Sequence, residues 1–170
     1  YDLGLPLNIH ANGDGAIDMA LRAHEFAAAG DLARPRRVTI IHSQFVRPDQ
    51  LDSYARLGIG ASFFSNHAFY WGDVHRRNLG EERAFFLSPL KTAHDKGVRY
   101  SNHTDFAVTP LDPAMMLWTA VTRQSRSGAV IGAGESLRAQ IAIAGAGAAL
   151  AGSNAIAVAP SRSTTGGALM

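Results

Sequence analysis

Three short apolar runs, each ending abruptly in side chains that bind metals, constrain this chain more than any other feature. Residues 5–10 read Leu-Pro-Leu-Asn-Ile-His and stop at His10, before Ala11-Asn12-Gly13-Asp14. Val38–His42 stops at a second histidine, before Ser43-Gln44. Residues 98–102 stop at Asn102. His103-Thr104-Asp105 follow, with Pro110 and Pro113 ahead of the next helical pattern. The Val38–His42 run is β-branched and shows no polar alternation before its end, as in a strand covered on both faces of a parallel sheet. Parallel strands present all their C-terminal ends at one edge, where the sites of α/β folds gather. Two imidazoles and a carboxylate at such an edge suit a divalent transition metal.

Composition narrows the classes. With 46% hydrophobic and 18% charged residues, the 170-residue chain has enough apolar material for one sizeable core. Its net charge of +2 is too small to argue for nucleic acid or an acidic membrane surface. Cysteine is absent, so any metal must be held by His, Asp or Glu. No apolar run approaches the ~20 residues of a membrane-spanning helix. The chain starts at Tyr1 without a charged-then-apolar leader, so a cytoplasmic location and a missing preceding segment are both expected.

Taken in order, the pattern predicts a strand over residues 3–10, a turn capped by Asp14, and a helix over 16–29 stopped by Gly30. A strand at Val38–His42 and a helix at Pro48–Leu57 follow, with Pro48 in its first turn and Gly58 at its end. Then come a strand over 59–64, a long aromatic loop over 65–78, and a helix over 81–96 broken at Pro89. A strand over 98–102 and a helix over 112–123 led by Asp112 and Pro113 complete four βα units. The strand-to-helix loops carry the His, Asn, Trp and Asp residues, as in a (β/α) barrel. A full barrel needs eight units and ~250 residues, so the sequence reads as half of one. Residues 1–124 are assigned to that half-barrel. Residues 125–170 form an Ala/Gly/Ser-rich tail, helical over 135–151 and disordered or frame-shifted beyond.

Three motifs, Ile9-His10-Ala11-Asn12-Gly13-Asp14, Ile41-His42-Ser43-Gln44 and His103-Thr104-Asp105-Phe106-Ala107-Val108, together resemble the second half of an amidohydrolase-superfamily barrel. The branch most similar is that of the N-substituted formamide deformylase-like enzymes. The resemblance runs over about residues 3–122, and it rests on three motifs in register with one βα alternation rather than on any one of them. It implies an α/β fold, the C-terminal half (strands 5 to 8 with their helices) of a metal-dependent hydrolase-type (β/α)8 TIM barrel. It also implies that His10, His42 and Asp105 are metal ligands for one or two Zn²⁺-like ions. Asp105 would double as general base, taking a proton from water and passing it to the leaving nitrogen. In a one-metal variant His42 would instead polarise the substrate carbonyl.

The family's His-x-His pair on the first strand and its bridging Glu or carboxylated Lys on the fourth have no counterpart here. Its closing Gly-Lys-x-Ala-Asp segment is replaced by the tail, which suggests a reading-frame shift after about residue 134. The implied partners are a small amide-type substrate and the missing N-terminal half, with no nucleic acid and no membrane; a homo-oligomer stays open.

Around this core, His67, Tyr70 and Trp71 are candidate substrate contacts, in a loop that also holds Asp73. His67 directly follows a strand tip, whereas the aromatics serve equally well as loop packing. His103 is placed to orient Asp105. His24, His75 and His94 read as surface residues, and Asn12-Gly13-Asp14-Gly15 lacks the spacing of a dinucleotide fingerprint. The expected activity is hydrolysis of a carbon–nitrogen bond other than a peptide bond, in an amide or formamide, with the fragment inactive alone. The rivals are deaminase or phosphotriesterase-like chemistry on the same frame, a non-catalytic remnant or interaction module, and a flavodoxin-like open sheet.

Overall fold

The computed structural model describes residues 3–142, apart from residues 33 and 140. Four strands, β1 (Leu7–Ala11), β2 (Val38–His42), β3 (Gly60–Phe63) and β4 (Tyr100–Asn102), form one parallel sheet in the order β1-β2-β3-β4. Helices α1 (Asp14–Ala28), α2 (Pro48–Leu57), α3 (Asn66–Phe85), α4 (Leu90–Asp95) and α5 (Pro113–Thr122) connect and follow them. The register aligns Ala11 with His42, His42 with Phe63 and Phe63 with Asn102. All four C-terminal strand ends therefore lie along one line, the condition for a shared site.

One face of the sheet packs on helices. Ile40, Ala61 and Tyr100 are neighbours in register and fully or almost fully buried. Against them lie Ile17 and Leu21 of α1, Leu51 and Tyr54 of α2, and Leu90 of α4. In α1 the buried positions Ile17, Ala20, Leu21, His24 and Ala28 repeat at helical spacing, so one stripe faces the sheet. Helix α2 starts at Pro48, with the Arg47 backbone N–H donating to the Gln50 side chain, and ends at Gly58 with φ +65°. The core reaches past α5 to Leu137 and Ala142. Residues 136–138 are irregular, and most of the stretch expected to be helical or frame-shifted lies outside the described residues.

The structure corrects several expectations. Strands β1 and β4 are shorter than the apolar runs that carry them. Asp14 is not the N-cap of α1; Gly13 is, and the Asp14 carboxylate instead pairs with Arg83 at 2.9 Å and Arg47 at 3.8 Å. Helix α1 ends on Ala29 in the left-handed conformation, one residue before Gly30. The largest change is at residues 65–78, expected as a loop and found as the first part of α3. His, aromatic and Asn residues are weak helix formers. Tertiary contacts hold them helical instead: the Ser65 hydroxyl meets Thr119 Oγ1 at 2.8 Å, and Thr119 donates to the Asn66 side chain at 2.8 Å. Gly80, at φ +78°, breaks α3 before its last turn.

Helix α3 sits close against the segment after α5. A Cβ added at Gly72 would meet Ile131 at 2.6 Å, and one at Gly132, where φ is +70°, would lie 1.8 Å from the Phe85 carbonyl oxygen. Gly132→Ala is therefore expected to destabilise the chain by at least about 2 kcal/mol, from backbone strain plus overpacking. Urea unfolding checks this; an unchanged midpoint would contradict the close approach.

Candidate metal centre at the strand ends

Each site residue is placed by the end of a strand. In β1, His10 pairs with Ile41, Ile41 with Ser62, and Ser62 with Ser101, so His10, Ser62 and Ser101 share the sheet face opposite the helices. The backbone N–H of His103 donates to Phe63 O at 2.9 Å, which extends the β4 ladder and keeps His103 on the face of Ser101. His42 belongs by alternation to the other face. Its backbone is left-handed, however, with φ +70° followed by φ +45° at Ser43, and its ring lies 4.6 Å from that of His10. Asp105 is also left-handed, at φ +51°. Non-glycine residues in this region cost free energy and gather at functional sites.

The rings of His42 and His103 are 5.0 Å apart, and those of His42 and His67 5.8 Å. Ligand-capable atoms of His42, His103 and Asp105 all lie within 4.8 Å of one another. His42 and His67 are buried, His103 and Asp105 half-buried, and His10 exposed. Three imidazole nitrogens in this cluster, Nδ1 of His42, Nδ1 of His67 and Nε2 of His103, are buried with no hydrogen-bond partner among the described residues. The other ring nitrogen of His103, Nδ1, lies 3.0 Å from Ser62 Oγ, which accepts in turn from Ser101 Oγ at 2.9 Å.

Burial holds these rings neutral. It pushes His67 down to about 2 and His103 down to about 4, in each case reinforced by the neighbouring His42. His42 is also lowered by burial, against the opposing pull of the Asp105 charge. Neutral imidazoles with unpartnered nitrogens beside a carboxylate are the donor set a divalent ion requires. The residues present thus fit a metal, since buried ring nitrogens without a partner are otherwise costly.

Of the other expected contacts, His67 and Trp71 lie in a chain of rings leading away from the cluster. Phe64, fully buried, stacks on His103 at 5.6 Å and meets His67 at 4.3 Å; His67 meets Trp71 at 5.6 Å. Tyr70 stands at the far end, against Trp71, Phe69 and the Arg126 guanidinium. Asp73 is engaged elsewhere, accepting from the hydroxyls of Ser125 and Ser127. None of the three histidines expected on the surface is an ordinary surface residue: His24 is buried, His75 is bonded to Gln44 at 2.9 Å, and His94 is half-buried beside Tyr100. Sequence reasoning missed Phe64 and the inclusion of His103 in the cluster. A two-residue alternation from Ser101 was the available signal for His103.

Residues 1–152 match the model of the amidohydrolase family. The chain belongs to the amidohydrolase family. Among curated proteins this amidohydrolase chain is 32% identical over 142 residues to N-substituted formamide deformylase of Arthrobacter pascens, covering 83% of the chain and 26% of the relative. It is 34% identical over 121 residues to Protein LONG AFTER FAR-RED 3 of Arabidopsis thaliana, covering 71% of the chain and 21% of the relative. Among solved structures it resembles a metal-dependent hydrolase from Pyrococcus furiosus, with a TM-score of 0.68 and 30% identity. It also resembles one from Pyrococcus horikoshii OT3, with a TM-score of 0.71 and 26% identity. Each structural match covers 85% of this chain and 28% of the other. The amidohydrolase chain thus spans about a quarter of the length of these relatives.

Proposed function

We infer that this chain supplies strands five to eight of a (β/α)8 metal-dependent hydrolase that cleaves a carbon–nitrogen bond other than a peptide bond, in a small amide or formamide. The observation that carries the reading is the meeting of neutral, unpartnered imidazole nitrogens with Asp105 at one sheet edge. Family membership and the deformylase relative support the choice of bond.

His10, His42 and Asp105 would hold one or two divalent ions, with Zn²⁺ the ion best suited to nitrogen and carboxylate donors. When bound, such an ion supplies Lewis acidity, making water acidic enough to ionise near neutral pH and polarising a carbonyl oxygen. The chain's own residues do the rest. The Asp105 carboxylate accepts the proton of the attacking water as its oxygen bonds to the carbonyl carbon. It returns that proton to the nitrogen as the carbon–nitrogen bond breaks, releasing an amine and a carboxylic acid. In a one-metal arrangement, a ring N–H of His42 donates to the carbonyl oxygen. His67 and Trp71 would back the site through Phe64, with Tyr70 farther out along the same chain of rings. Since the remaining ligands lie in the other barrel half, this chain alone is inactive but retains metal affinity.

Metal content tests this. The chain folded with Zn²⁺ is expected to carry about one ion, counted by elemental analysis. His10→Ala, His42→Gly and Asp105→Gly are each expected to reduce it, glycine being unstrained at the two left-handed positions. Metal bound equally by all three variants, or none bound by the folded wild-type chain, would overturn the reading.

A further inference from the structure

We propose that His103 is itself a metal ligand in this chain, through Nε2, with its Nδ1 steadied by the Ser62–Ser101 hydroxyl pair. The proposal rests on the metal-centre reading above and adds a residue to it.

Three observations carry it. The first is direction. Ser62, Ser101 and His103 share one sheet face, and the ladder bond from His103 N to Phe63 O fixes the backbone from which the ring projects. The second is hydrogen-bond accounting. Ser101 donates its hydroxyl proton to Ser62 Oγ, and Ser62 Oγ lies 3.0 Å from His103 Nδ1. That bond can run either way; a metal on Nε2 would select the form in which Nδ1–H donates to Ser62 Oγ, and Nε2 is a buried atom with no hydrogen-bond partner among the described residues. An imidazole that ligates through one nitrogen and is steadied through the other is the usual arrangement at protein metal sites. The third is convergence. The group whose ligand atoms lie within 4.8 Å of one another is His42, His103 and Asp105. Two ligands of one ion lie at most about 4.2 Å apart, twice the ~2.1 Å of a metal–ligand bond, so binding would draw these atoms slightly together. His10 lies outside this group, on an exposed edge strand, whereas Phe64 stacks on the His103 ring at 5.6 Å and limits its rotation.

Support of His103 accounts for two residues the proposed chemistry does not use. Hydroxyls at both Ser62 and Ser101, paired in register and each almost fully buried, are an expensive choice in a sheet interior unless they orient something. Among the described residues their hydroxyls bond to each other and to His103.

The test is Co²⁺ binding to the full chain, read by titration and by visible absorption. His103→Gln is expected to raise the dissociation constant at least ~100-fold and change the ligand-field bands. Ser62→Ala should raise it about 10-fold, the range for loss of a supporting hydrogen bond. His103→Cys gives a positive readout: a thiolate-to-Co²⁺ charge-transfer band appears only if residue 103 touches the ion. An unchanged dissociation constant and spectrum in His103→Gln would overturn the proposal. So would a metal-loaded His103→Cys protein lacking that band, which also covers the case in which His103→Gln fails to fold. His42→Gly run in parallel separates the two readings. If it abolishes binding while the His103 variants do not matter, only the assignment of His103 falls; if it too has no effect, the metal-centre reading falls as well.

Discussion

On the proposed function, Asp105→Asn is expected to lower kcat for amide hydrolysis by about 10³-fold at saturating metal, measured in a protein in which this chain is joined to the proposed remaining barrel half. The substitution isolates chemistry from conformation. Asp105 sits at φ +51°, a region that Asn enters as readily as Asp and that alanine enters only with strain. The amide oxygen of Asn keeps a donor for the ion, although a weaker one, so the metal can be restored by mass action. What Asn cannot do is accept a proton from water and hand it to the departing nitrogen. Steady-state kinetics with metal content measured on the same sample checks this. Full activity in the metal-loaded variant would remove Asp105 from the proton-transfer role.

Arg123→Ala is expected to cost about 3–5 kcal/mol of stability. Arg123 is fully buried, and its guanidinium donates to the carbonyls of Ile131, Ser88 and Leu87. It thereby ties the end of α5 to the α3–α4 connection and to the segment that returns past it. Burial lowers its pKa to about 10, with the Glu135 charge opposing that shift, so it stays charged at neutral pH. Truncation strands the carbonyls of Ile131 and Leu87, since that of Ser88 still accepts from the Leu90 N–H, and leaves a cavity where the side chain was. Arg123→Lys is expected to recover only part of the loss, since an ammonium cannot span three acceptors as a planar fork does. The residue's φ of +56° gives an internal control. Arg123→Gly relieves that backbone while removing the guanidinium, and it should still lose most of the stability. Urea unfolding midpoints of the three variants decide the matter; a glycine variant as stable as the wild type would mean that backbone strain, not the side chain, dominates.

The metal-ligand pattern is tied to the strand ends because a strand's last side chain is addressed by local sequence. His42 falls at the end of an apolar run, and the parallel register then brings that end level with the others. Placing His103 in the cluster required more. Its ring position depends on Ser62, forty-one residues away in sequence, and on the stacking of Phe64, neither of which leaves a periodic trace. Left-handed backbone at His42 and Asp105 was likewise invisible, because His and Asp carry no conformational signature as glycine does.

By itself, the sequence determined the order of strands and helices, the parallel sheet and the family. Apolar periodicity, proline at helix starts and glycine at helix ends are local signals, and α1, α2 and α5 follow them closely. Only the tertiary structure decided that residues 66–79 coil into a helix and that an arginine and several histidines are buried. Those outcomes rest on long-range hydrogen bonds, from Ser65 to Thr119 and from Arg123 to Ser88, which override weak local propensity and exist only once the chain has closed on itself.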